Sequence, residues 1–402
     1  MTHTRPTLDG GIRLASWARG SRRSAMQRML SIASRPGAIS FALGLPAPEL
    51  FPVEALNEAA RSVLAGDRRA LQYGPTSGRL RRQVVELMAR RGVSCRDEQV
   101  FLTTGAQQGV NLLAHLLLDR GGQVIVEEMI YPGTRQVLEL FQPEVLTVPT
   151  DLETGMDVDA VERLLAGGAR PAFIYAITDG HNPLGVSLSA PKRERLVELA
   201  RRYRVPVVED DPYGFLVYDS LCAPPMRALD EEWVLYVGSF SKILAPTLRV
   251  GWMVLPESLI PQLSIVKEAA DIDTSTFTQR VVSAFLDSNA IADHLQLLHD
   301  EYRARRDSML RALEGSLRPG ARWTRPSAGF FVWVELPGEI DMLRLLEDSI
   351  EVESVAFIPG EAFSLSGGRG GAPSMRLNFS HNPPVRIDEG VERLARLLSR
   401  FS

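Results

Sequence analysis

Apolar positions along this chain change period repeatedly between Val53 and Pro256. Residues 53–66, VEALNEAARSVLAG, and 78–92, GRLRRQVVELMARRG, carry apolar side chains at helical spacing. One face of each is therefore predicted to pack and the other to meet water. Residues 99–105, QVFLTTG, form a short apolar run ending in Gly, and 106–122 return to the helical period and close on two glycines. Short β-branched runs follow at 123–128, 172–177, 205–210, 234–240 and 250–256, with a helical segment at 190–203 among them. Strands apolar on both faces with helical crossovers predict an α/β sheet that is mainly parallel. The run 250–256 follows its predecessor with no helix between, so one antiparallel member is expected.

After Pro256 the pattern changes. A long helical stretch at about 275–315 leads into strand and turn at GARWTRPSAGFFVWVELPG (320–338), and DEGVERLARLLSR (388–400) reads as a closing helix. These segments predict a second, smaller α+β domain. The division expected is 53–290 for the large domain and 291–402 for the small one. Residues 1–52 form an N-terminal arm, with a short helix within 1–35 and a strand-like segment at 38–43 that packs with the small domain.

A chain of 402 residues with 45% hydrophobic and 23% charged residues fits a soluble protein of two lobes. The net charge of −4, without dense Lys/Arg clustering, argues against nucleic acid as a partner. No apolar run reaches membrane-spanning length. Two cysteines, Cys95 and Cys222, without CxxC or Cys/His spacing, predict neither a disulfide framework nor a metal site. With no apolar segment in MTHTRPTLDGG, the expected setting is the cytoplasm.

In an open α/β sheet, ligands bind beyond the carboxyl ends of the strands, so the residues that follow each run carry the candidate chemistry. Gly105-Ala106-Gln107 stands at a helix N-terminus, where backbone N–H groups suit an anion. Tyr131-Pro132-Gly133 offers an aromatic face. His181-Asn182-Pro183-Leu184-Gly185 offers a turn with an amide. Asp210-Asp211-Pro212-Tyr213 offers carboxylates and a phenol, and the next run carries Ser239 near its end and is followed by Ser241, Lys242 and Arg249. Lysine occurs at only three positions, 192, 242 and 267, against 42 arginines. An amine retained between a pair of serines, Ser239 and Ser241, and a hydrophobic run points to chemistry that a guanidinium cannot perform. Each turn alone has a bland explanation. Together the groups suit a phosphorylated aromatic aldehyde, pyridoxal phosphate, held by a Lys Schiff base with an acidic partner on its ring nitrogen.

From about Ala38 onward the chain resembles the fold-type I pyridoxal-phosphate enzymes of the class I/II aminotransferase family, most of all the 2-aminoadipate/kynurenine type. The marks are FALGLPAPELFP (41–52), LQYGPTSG (71–78), TTGAQQG (103–109), YPG (131–133), HNPLG (181–185), VVEDDPYGFL (207–216), GSFSKILAPTLRVGW (238–252), FIPGEAF (357–363) and MRLNFS (375–380). The resemblance implies a seven-stranded, mainly parallel sheet in the large domain.

It also implies residue roles. Lys242 joins the cofactor and then shuttles the proton of the substrate α-carbon. Asp210 pairs with the ring nitrogen, Tyr131 stacks on the ring, and Asn182 and Tyr213 hydrogen-bond its hydroxyl oxygen. Gly105, Ala106, Gln107, Ser239, Ser241 and Arg249 hold the phosphate, joined by Tyr73 from the other subunit of a homodimer with shared sites. Arg376 grips the α-carboxylate, and Gly44 belongs to a segment that closes over substrate.

The activity implied is amino transfer between an amino acid and a 2-oxo acid. Alternatives on the same scaffold are elimination, replacement or cyclisation. A non-catalytic regulator is a further alternative, set against the lack of room for a winged helix before Phe41. The departures from the family pattern lie in TDGHNPLG, where Thr178, His181 and Leu184 replace Pro, Gln and Thr, and at Ala106, where Ser is common. His181 is accordingly a candidate substrate contact or second acid/base, with a loop histidine satisfied by backbone as the alternative; Asp179 raises the same question.

Overall fold

The computed structural model describes residues 37–400 except 220–222, 289, 318 and 366–372, together with Ile12, Ala15 and Ala18. The arm and short helix expected within 1–35 otherwise lie outside the described residues, as does Cys222.

Seven strands form the main sheet: β1 (Val100–Thr103), β2 (Gln123–Glu127), β3 (Glu144–Val148), β4 (Pro171–Ile177), β5 (Val207–Asp210), β6 (Val234–Ser239) and β7 (Gly251–Val254). Their order across the sheet is β1-β7-β6-β5-β4-β2-β3. Only β7 runs antiparallel to its neighbours, pairing Gly251 with Ser239 on one side and with Thr103 on the other. The two faces are both covered. In β6, Leu235 and Val237 enter one apolar cluster, with Val110 and Leu113 of the helix Ala106–Leu117. Tyr236 faces the opposite way, into a cluster with Trp252. Burial on both faces is why these strands read as unbroken apolar runs.

Several expected elements end differently. The helix predicted over 106–122 stops at Leu117, before the glycines. The stretch expected at 275–315 is two helices, Thr276–Asp287 and Ala290–Ser316. Strand β3 had no counterpart among the apolar runs. It is an edge strand whose residues are exposed or half-buried except Val148, so its pattern is diluted.

Beyond the main sheet, Phe331–Glu335 and Ser374–Asn378 pair antiparallel, flanked by the short strands Arg322–Trp323 and Ile358–Pro359. Ile39 and Ser40 pair in parallel with Val355 and Ala356. This pair is a separate two-stranded sheet that ties residues 39–40 to the C-terminal part of the chain. Among the described residues no helix is long and apolar enough to cross a membrane, and no three His, Cys, Asp or Glu side chains cluster at metal-binding distance.

Candidate active site

Six parallel strands aim their carboxyl ends at one edge of the main sheet, and their turns carry most of the residues singled out above. At the end of β6, Ser239 Oγ accepts a hydrogen bond from the Ser241 N–H at 3.1 Å. The turn then delivers Lys242, half-buried, with Nζ donating to the Gly44 carbonyl at 2.9 Å. Burial, followed by the positive charges of Arg376 and Arg249, pushes the Lys242 pKa from 10.5 down to about 8. The neutral amine, which is the nucleophilic form, is therefore accessible at mild pH.

Asp210 closes β5 and is 6% exposed. Its Oδ2 accepts from the Tyr175 hydroxyl at 2.5 Å, and Thr134 Oγ1 donates to that hydroxyl at 2.9 Å. Its Oδ1 is buried and has no hydrogen-bond partner among the described residues. Burial lifts the Asp210 pKa to about 6; the bond from Tyr175 opposes the rise and the charge of Asp211 adds to it. Asp211 faces elsewhere, bonded by Tyr236 at 3.0 Å and paired with Arg91 at 3.2 Å. Arg91 also meets Asp179 at 3.0 Å, and Arg193 holds Asp179 at 2.6 Å. Asp179 thus belongs to a buried ion network.

The anion-binding turn follows β1. Gly105 caps the helix Ala106–Leu117 with φ +84°, and a Cβ there would fall 2.6 Å from a guanidinium nitrogen of Arg249. Glycine thus lets Arg249 lie against the turn, where it donates to the Thr104 carbonyl at 2.9 Å. Gln107 Nε2 donates to the Gly133 carbonyl at 2.7 Å, tying this turn to the one that carries half-buried Tyr131. Tyr213 is buried edge-on to Phe330, with ring centroids 5.2 Å apart. Burial raises the pKa of both tyrosines, so they remain phenols.

Arg376 comes from the C-terminal sheet and is 1% exposed. Its guanidinium lies 4.2 Å from the ring centroid of Phe331 and 4.8 Å from that of Phe363. It donates to Asn182 Oδ1 at 2.7 Å and to the Ala42 carbonyl. Its Nε has no hydrogen-bond partner, and it makes no ion pair among the described residues. Burial lowers its pKa to about 10. A buried cation with only neutral partners costs several kcal/mol, which an incoming anion would offset. Gly44 lies over this group, since a Cβ on it would fall 2.6 Å from Phe331 Cζ.

Comparison with known proteins identifies this constellation. The family model for aminotransferase class I and II matches residues 40–394. The chain belongs to that family. It is 37% identical to an aromatic-amino-acid aminotransferase of Thermococcus litoralis, over 98% of this chain and 95% of that one. A kynurenine aminotransferase of Pyrococcus horikoshii superimposes with a TM-score of 0.90 at 35% identity, covering 96% of this chain and 97% of the other. The α-aminoadipate aminotransferase of Thermus thermophilus, complexed with N-(5'-phosphopyridoxyl)-L-leucine, gives 0.88 at 36% identity over 96% and 97%. This protein is a fold-type I aminotransferase, and membership implies pyridoxal phosphate as its cofactor.

One candidate residue of this aminotransferase is turned away from the role considered for it. His181 is not turned to a substrate. Its Nε2 lies 3.0 Å from Glu127 Oε2, and its Nδ1 accepts from the Leu184 N–H at 3.4 Å. Both ring nitrogens are spent within the protein, and the side chain is 3% exposed. That leaves the elimination, replacement and cyclisation readings without a second acid/base at this position. Tyr73 stands apart from the other candidates, 81% exposed on the surface of the single chain. Tyr175 and Thr134 were not singled out from the sequence. The one signal was a lone hydroxyl in the buried run PAFIYAI, which must find a partner.

Proposed function

We propose that this aminotransferase moves the amino group of an aromatic or long-chain amino acid to a 2-oxo acid. The observation that carries the reading is Arg376, a buried cation without a counter-charge among the described residues, which bonds Asn182 and Ala42 while Lys242 bonds Gly44 two residues on. An α-carboxylate supplies the missing anion in a two-pronged contact. The substrate class follows the activities of the relatives, aromatic amino acid, kynurenine and α-aminoadipate transfer.

The residues fit the cofactor. The free Oδ1 of Asp210 suits a protonated ring nitrogen, and the N–H groups at Ala106 and Gln107, with Ser239, Ser241 and Arg249, suit its phosphate. Tyr131 would lie on the ring, and the Nδ2 of Asn182 with the hydroxyl of Tyr213 would bond its oxygen. When bound, pyridoxal phosphate supplies an aldehyde for the amino group and a ring that accepts electrons from the α-carbon. Lys242 Nζ then takes the α-proton and returns it, for which a pKa near 8 is suited. Arg376 fixes the carboxylate, and the segment carrying Ala42 and Gly44 keeps water out. We further propose a cytoplasmic homodimer in which the partner subunit's Tyr73 completes the phosphate site.

The experiment is a donor screen with a 2-oxo acid acceptor and mass analysis of products. Recovery of nitrogen from aromatic donors or 2-aminoadipate as a new amino acid is expected. Its release as ammonia, or transfer from small donors only, would refute the proposal.

A further inference from the structure

Asp210 has one oxygen committed and one free, and what commits the first is a pair of residues outside the ligand groups described above. Tyr175 lies within β4, next to β5, with Ile177 paired to Asp210 across the two strands. Its hydroxyl donates to Asp210 Oδ2 at 2.5 Å. That hydroxyl is the acceptor for Thr134 Oγ1 at 2.9 Å. Tyr175 is 3% and Thr134 1% exposed, so neither bond competes with solvent. Thr134 sits in the first turn of the helix Pro132–Phe141, directly after Tyr131. The chain of hydroxyls thus runs from the base of the aromatic plate to the carboxylate, and it leaves only Oδ1 of that carboxylate unpaired.

We propose that Tyr175, braced by Thr134, is a positioning residue that fixes the Asp210 carboxylate and sets how strongly it holds the proton shared with the cofactor ring nitrogen. The inference rests on the role given to Asp210 above. A donor on Oδ2 stabilises the ionised carboxylate and weakens its claim on a proton at Oδ1. With the donor present, the shared proton stays on the ring nitrogen. Without it, burial and the neighbouring charge of Asp211 act unopposed, and the proton moves toward Oδ1. Thr134 acts through Tyr175, because a phenol that accepts a hydrogen bond is a better donor of its own. Nothing covalent changes in this step; one proton is repositioned between a ring nitrogen and a carboxylate oxygen.

The test is the ¹⁵N resonance of pyridoxal phosphate labelled at the ring nitrogen, bound to the full-length protein at one fixed pH. Tyr175→Phe should displace it toward the unprotonated ring and weaken cofactor binding about tenfold, the scale of one charge-assisted hydrogen bond. Thr134→Val should displace it less in the same direction, and Thr134→Ser should leave it in place. Asp210→Asn separates the two levels of the argument. If Asp210→Asn moves the resonance but neither Tyr175→Phe nor Thr134→Val does, the role of Tyr175 is overturned alone. If Asp210→Asn leaves it unmoved, the role of Asp210 falls as well. Should Tyr175→Phe fail to fold, the contrast between Thr134→Val and Thr134→Ser decides.

Discussion

Arg376 donates to Asn182 Oδ1 at 2.7 Å, so a strand of the C-terminal sheet is joined to the turn after β4 by one buried hydrogen bond. The contact spends the acceptor of the Asn182 amide and leaves its Nδ2 donors for a ligand. It also holds the guanidinium between Phe331 and Phe363, with its edge open to an anion.

Removing that fork should cost transition-state binding. Arg376→Ala is expected to lower kcat/KM roughly a hundredfold, or about 3 kcal/mol for a charge-assisted contact to carboxylate. Arg376→Lys should recover part of the loss, since it keeps the charge but not the planar fork. Steady-state kinetics over both substrates check this; a loss confined to protein stability would contradict it.

The same guanidinium acts on Lys242. Capture of pyridoxal phosphate by the cofactor-free protein requires the neutral amine, so its rate should rise with pH and level off above about 8. A positive neighbour disfavours the protonated amine, so Arg376→Ala should move the midpoint upward. Stopped-flow absorbance measures both profiles, and a midpoint that stays or falls would remove the electrostatic link. Lys242→Arg retains the charge and should give no lysine-bound cofactor band at all.

The ion network behind β5 has a structural role. Arg193 is 1% exposed and bonds Asp179 at 2.6 Å as well as the carbonyls of Thr178 and Leu188. Arg193→Ala leaves Asp179 with less compensation and several carbonyls unmet. A stability loss of about 3–5 kcal/mol is expected from urea unfolding of the cofactor-free protein; a loss below about 1 kcal/mol would show that the network is not needed.

If Tyr73 serves the neighbouring site, complementation follows. Tyr73→Ala and Lys242→Ala homodimers should each be weak or inactive. Refolded together in equal amounts, they should recover about a quarter of wild-type activity, because half the dimers are hybrids with one intact site. No recovery would place Tyr73 and Lys242 in the same site, or in none.

Much of this architecture was legible because the main sheet obeys simple rules. Strands buried on both faces read as apolar runs, and ligands gather at their carboxyl ends, so the turns after Thr104, Glu209 and Ser239 stood out, and the family resemblance chose Asp210 over Asp211. Strand β3 was missed because an edge strand carries a half-solvated pattern. The two readings of His181 stayed open because its partner, Glu127, ends a strand 54 positions away in sequence, and spacing says nothing of that meeting. Tyr175 carries no motif. Its meaning depends on Asp210, 35 residues on, being next to it across two strands.

The cover of the site has a consequence for how the chain is made. Ala42 and Arg376, which bond each other, are separated by 334 residues. At a synthesis rate of ~5–20 residues per second, the first waits on the order of 20–70 s for the second to emerge. Through that interval the large domain can complete its sheet, while residues 39–44 have no sheet to join and Lys242 has no cover. The segment that shields the lysine is made long before Arg376, which anchors it through Ala42, so a nascent chain can hold its reactive amine open to the cofactor before that anchor exists.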